Sequence, residues 1–187
     1  LPDGNGAFFG TTSQGGAACS CETVFKLSPP TGGQTTWTKR VIYSFQSSSD
    51  GDGPYGPLAV DASGALYGVT AAGGGPSDNG GAGWGTVYKL TPPTSGGAWT
   101  KTMLHSFQSD GGTPLSGFVL DNAGAIYGTT RLGGHRMKNP NGAEGFGSIF
   151  KITQYQGNGR VLSLTPNLGQ TPSPSAPDRR SAGAAGG

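Results

Sequence analysis

The chain has 187 residues, of which 37 are Gly and 14 Pro, with only 12% charged residues and a formal net charge of +2. That length accommodates one domain with a sizeable core, and the small net charge excludes the broad basic footprint of a nucleic-acid-binding protein. The sequence has no apolar run long enough for a membrane-spanning helix and no glycine at every third position, which excludes membrane insertion by a helix and a collagen-like chain.

High Gly and Pro content ordinarily signals low complexity. Here the glycines alternate with short runs of Val, Leu, Ile, Phe and Tyr, the pattern of many short strands joined by tight turns. FFGTT at 8–12 predicts an aromatic strand, and after a Gly-rich loop TVFKLSPP at 23–30 predicts a second. Its alternation puts Val24 and Lys26 on one face and Thr23, Phe25 and Leu27 on the other. The loop between carries Cys19 and Cys21 as CSC, which is not the C-x-x-C of redox or zinc sites and has no second pair to complete a metal site. These cysteines read as free or locally bridged thiols.

WTKRVIYSF at 37–45 predicts the third strand, GDGP at 51–54 a turn, and PLAVD at 57–61 a short fourth strand. The set then recurs as LYGVT at 66–70, TVYKLTPP at 86–93, WTKTMLHSF at 99–107, DGGTP at 110–114 and GFVLD at 117–121. A third round begins with IYGTT at 126–130 and SIFKI at 148–152, and RVLSL at 160–164 is a candidate closing strand. In the turns after the fourth strands, Asp61 and Asp121 can accept bonds from turn backbone while Gly64 and Gly124 can take positive φ. The stretch 119–130 is therefore a β-hairpin before it is anything catalytic.

Aromatic strands starting at 8, 66 and 126 give a period of about 60 residues with four strands per unit. Sheets of this size bury both faces only when neighbours pack against them. The expected fold is all-β, with propeller-like tandem four-stranded antiparallel sheets. The visible strands fall short of the roughly four to eight blades of common propellers, so the expected form is an incomplete ring or an open repeat stack. The chain divides into a partial first repeat at 1–36, a second repeat at 37–98, a third repeat with its closing strand at 99–168, and a Pro/Ser/Ala/Gly-rich tail or linker at 169–187. It reads as a mature product or a fragment of a longer chain.

The YGTT element, the Gly-rich loop, the TVFKL-type strand, the W-T strand ending in SF, the DG-x-x-P turn and the LxxDxxGxLYG hairpin together resemble the GloVer-type tandem repeats of secreted or surface-anchored bacterial proteins. The resemblance spans roughly residues 4–152. It implies a propeller-like repeat scaffold without a common reaction, in which Tyr67, Gly68, Thr70, Tyr127, Gly128, Thr129 and Thr130 match the YGTT element and Trp99, Asp121 and Gly124 match later landmarks. Val69 departs from the usual Thr, and CSC precedes the first TVFKL.

Chemistry-bearing residues are few. Asp50, Asp52 and Asp110 lie in related turns and are the candidate calcium ligands, although no twelve-residue EF-hand pattern surrounds them. Repetition of Asp61 and Asp121 points to a shared turn role, since a catalytic acid and base need unlike environments. His105 stands where the earlier copy has Tyr43, a partly buried polar position, and no G-x-S-x-G elbow accompanies either His. Arg131, His135, Arg136 and Lys138 form a basic loop patch that reads as solvated. Trp84 and Phe146 border Gly-rich loops and are the candidate ligand-binding residues, able to stack on a sugar ring or anchor a protein.

The expected function is an extracellular or cell-surface structural or interaction repeat module, not an enzyme, whose partners are other copies or missing domains of a parent protein. A carbohydrate-binding propeller module with a glycan partner is the alternative, and a fragment of a secreted polysaccharide-active enzyme is a third reading. No cofactor is expected apart from the calcium alternative, and no nucleic acid.

Overall fold

The computed structural model describes residues 1–15, 21–46, 49–75, 83–108, 111–133 and 147–153. Every regular element among them is a strand, in the order β1 Phe8–Thr12, β2 Thr23–Ser28, β3 Thr38–Ser44, β4 Ala59–Val60, β5 Leu66–Thr70, β6 Thr86–Thr91, β7 Thr100–Ser106, β8 Phe118–Leu120, β9 Ile126–Thr130 and β10 Ser148–Ile152. Each coincides with a stretch read from the sequence. RVLSL and the tail lie outside the described residues.

The strands form three antiparallel sheets, β1-β2-β3, β4-β5-β6-β7 and β8-β9-β10, and none closes on itself. Only the second has the expected four strands; in the first, the fourth place is marked by a bridge from Pro2 to Phe8. The strand that follows Trp37 pairs with β2, and the one that follows Trp99 pairs with β6, so each W-T strand completes the sheet begun by the aromatic strand before it. Both pairings slip by one residue at the same place, between Val24 and Phe25 and between Val87 and Tyr88.

Registers show why the motifs look alike. Gly10 faces Phe25, Gly68 faces Tyr88 and Gly128 faces Phe150. In each sheet the aromatic ring of the middle strand lies across the glycine, and a Cβ there would meet ring atoms of Phe25, Tyr88 or Phe150. The glycine of YGTT is thus dictated by close approach.

Each sheet has two unequal apolar faces, as the alternation of TVFKL and TVYKL required. One apolar cluster joins Phe9 and Val24 of the first sheet to Leu66, Tyr88 and Leu90 of the second. The other joins Tyr67, Val69 and Val87 of the second sheet to Ile126, Phe150 and Ile152 of the third. The sheets therefore stack face to face, and each internal interface uses the same positions. The Phe that follows the W-T strand, Phe45 or Phe107, is buried in the cluster shared with the next sheet. The linking turn also docks onto the next sheet: Asp52 pairs with Ala72, and Gly112 with Leu132.

Candidate functional site

One arrangement of polar side chains recurs on all three sheets. In the turn before each aromatic strand, an Asp accepts two backbone N–H bonds through Oδ1. Asp3 accepts from Asn5 and Ala7, Asp61 from Ser63 and Ala65, and Asp121 from Ala123 and Ala125. The turn closes because Gly6, Gly64 and Gly124 take φ of 87°, 80° and 81°, a region open to glycine.

The second oxygen of each Asp faces the sheet. Tyr67 Oη donates to Asp61 Oδ2 at 2.9 Å and Tyr127 Oη to Asp121 Oδ2 at 3.1 Å, whereas Phe9 at the equivalent place has no hydroxyl. The middle strand contributes a lysine directly across from that aromatic, in the pairs Phe9–Lys26, Tyr67–Lys89 and Tyr127–Lys151. Lys26 Nζ sits 2.8 Å from Asp3 and Lys89 Nζ 3.5 Å from Asp61. Each ammonium also lies over its partner ring, at 5.4, 5.2 and 5.0 Å from the centroid.

These acids are consumed by their partners. Burial opposes ionisation of Asp61, but bonds from Ser63, Tyr67 and Ala65 outweigh it and hold the carboxyl down at about 2. Backbone bonding from Ala125 leads the same downward shift at Asp121, with Tyr127 and Lys151 adding to it. A carboxylate held this low is a poor general base and donates no proton near neutrality.

Of the expected calcium ligands, Asp50 accepts bonds from Tyr43 Oη at 2.8 and 2.9 Å and from the Gln46 N–H at 3.0 Å. Its Oδ1 also lies 2.7 Å from Lys101 Nζ, whose side chain is only 6% exposed and is cradled by the rings of Tyr43, Phe45 and Tyr88. Burial pulls the Lys101 pKa down against the opposition of Asp50, while Lys101 and Tyr43 hold Asp50 low in spite of its own desolvation. Tyr43 is in the first sheet and Lys101 in the second, so Asp50 ties the two sheets through the turn that joins them.

Asp52 meets Glu22, not Asp50. Burial, and then the hydrogen bond and repulsion from Asp52, push Glu22 up to about 7, against a bond from the Gly53 N–H. Asp110 and Phe146 lie outside the described residues. Among the described residues no three His, Cys, Asp or Glu side chains cluster as a metal would require.

Trp84 is half-buried and packs on the cluster between the second and third sheets. Its ring covers Gly112, where a Cβ would meet the indole, and its carbonyl accepts the Thr113 N–H at 2.7 Å. In the first sheet the position ahead of Thr23 and Glu22 is Cys21, which is disulfide-bonded; Cys19 lies outside the described residues. Lys101, Glu22 and the three sheet lysines escaped the sequence reading as partners. The signal was present in the repeated letters of WTK and of K in TVFKL, TVYKL and SIFKI.

No helix among the described residues is long and apolar enough to cross a membrane. No curated protein matches the chain, and no solved structure matches it. The sequence model of the Gloeobacter/Verrucomicrobia repeat matches residues 1–177, and the chain belongs to that repeat family.

Proposed function

We propose that the chain is an extracellular, non-catalytic structural and interaction module that works by stacking sheets, either within a larger surface protein or with further copies. The observation that carries this reading is the use of Asp3, Asp61 and Asp121 as the same turn-and-lysine clasp on successive sheets. A reactive group would be expected once; a structural device recurs with the repeat. The disulfide at Cys21 supports an oxidising compartment.

The polysaccharide-active reading draws on the Glu22 and Asp52 pair, whose environments differ. Asp52 acts on the Glu22 carboxyl at hydrogen-bonding range, which counts against this reading, because the two carboxyls of a glycosidase stand roughly 5 to 9 Å apart. Carbohydrate binding through Trp84 has less support, since its ring is committed to Gly112. Calcium at the 50–52 turn is a further alternative, with Asp50 already engaged by three donors.

The test is calorimetric titration with soluble polysaccharides, with and without calcium, alongside an assay for newly released reducing ends. The module reading predicts no release and no saturable heat. Release of reducing ends would establish the enzyme reading, and saturable heat lost in Trp84→Ala would establish the glycan-binding one.

A further inference from the structure

The two internal interfaces join unlike faces. The front face of one sheet, built from the first position of the aromatic strand and the aromatic and Leu/Ile of the middle strand, covers the back face of the sheet before it. At the second and third sheets these front positions are closed, with Leu66, Tyr88, Leu90, Ile126 and Ile152 at 0% exposure and Phe150 at 1%. At the first sheet the same face is open: Phe8 is 46% exposed, and Phe25 and Leu27 are only partly buried. Val41, paired with Phe25, is 37% exposed on that face, and Trp37 stacks beside Phe8 with centroids 6.0 Å apart.

The third sheet carries the matching half. Val24 and Val87 on the back faces of the first two sheets are fully buried, while Ile149 at that position is 53% exposed. Tyr127 is 36% exposed against 2% for Tyr67, and Val119, which pairs with Tyr127, is 67% exposed. Among the described residues, one molecule therefore exposes a front and a back of an interface that it makes twice internally.

We propose that a second copy of this chain docks head to tail, setting the Tyr127, Ile149 and Val119 face of one molecule on the Phe8, Phe25 and Leu27 face of the next. The partner is a second copy because the internal interfaces already pair these residue types at these positions. A heterologous contact of this kind closes into a ring or propagates as a filament, according to the rotation per copy. This inference rests on the module reading and gives it a polarity.

The experiment is sedimentation velocity on the full chain over a concentration series, with Phe8→Asp blocking the front and Ile149→Asp blocking the back. The wild type is expected to show species above one chain mass. Each variant alone is expected to associate more than about tenfold more weakly, because an unpaired carboxylate would be buried. Mixed together, the two variants are expected to give a one-to-one dimer and nothing larger, since each retains the face that the other lacks. Val41→Asp and Val119→Asp replace them if either loses its native near-ultraviolet dichroism. A single-chain mass at all concentrations, or mixed variants that stay apart, would overturn the proposal. Association untouched by every variant would overturn this interface while leaving the module reading intact, whereas polysaccharide cleavage would remove that reading whatever the mass.

Discussion

Phe45, the first residue beyond β3, sets its ring edge-on against Tyr88 of β6, with centroids 5.4 Å apart and planes at 74°. Phe107 repeats the contact with Phe150 on the next sheet at 5.1 Å and 64°. Each is 2% exposed, so each carries a large apolar side chain across a sheet boundary. Phe45→Ala and Phe107→Ala are expected to cost about 3 to 4 kcal/mol each in urea unfolding. A loss below about 1 kcal/mol at both would show that the sheets do not depend on these rings.

Tyr88 has Phe25 and Phe150 as its counterparts, and its buried hydroxyl has no hydrogen-bond partner among the described residues. An unsatisfied buried hydroxyl is destabilising. Tyr88→Phe is therefore expected to stabilise the chain by about 1 kcal/mol, measured by the urea midpoint at unchanged slope. Destabilisation would mean that the hydroxyl has a partner.

Gly68→Ala would drive a Cβ into the Tyr88 ring. Overpacking of this kind costs about 1 to 3 kcal/mol. The cost should shrink in a Tyr88→Val background, where the ring is gone. Equal cost in both backgrounds would trace the effect to the strand and not to the ring.

Two opposed titrations shape the pH dependence. Asp61 is held at about 2 against an ordinary 3.8, so its contribution is complete above 3.8 and fades as pH falls toward 2. Glu22 is raised from 4.5 to about 7, so between those values the unfolded chain gives up its proton more readily than the folded one, and stability falls as pH rises. Thermal unfolding should show greatest stability at about pH 4 to 5, and Glu22→Gln should flatten the decline toward pH 7. A decline unchanged in that variant would remove Glu22 as its source.

The strands were legible because Val24, Lys26 and their copies alternate with Phe25, Tyr88 and Phe150, and because Gly64 and Gly124 mark the hairpin turns. The pairing of Asp3 with Lys26 and of Asp61 with Lys89 was less visible, since it depends on antiparallel register that period alone does not state. The same limit hid Asp50 and Lys101, which are 51 positions apart. Trp84 could be read from the sequence as a packing or a binding aromatic, but the glycine it covers, Gly112, could not be named because it belongs to the next link in the stack.

Asp50 ties the first sheet to the second by bonding Tyr43 on one and Lys101 on the other. A double-mutant cycle on Asp50→Asn and Lys101→Met, read by urea unfolding, measures the strength of that tie. Asp50 is expected to be the costlier single loss, because it strands a lysine that is 6% exposed beneath three rings. A coupling of about 1 to 3 kcal/mol is expected, with the double variant well short of the sum of the singles. Strict additivity would contradict it and leave Asp50 free for another role.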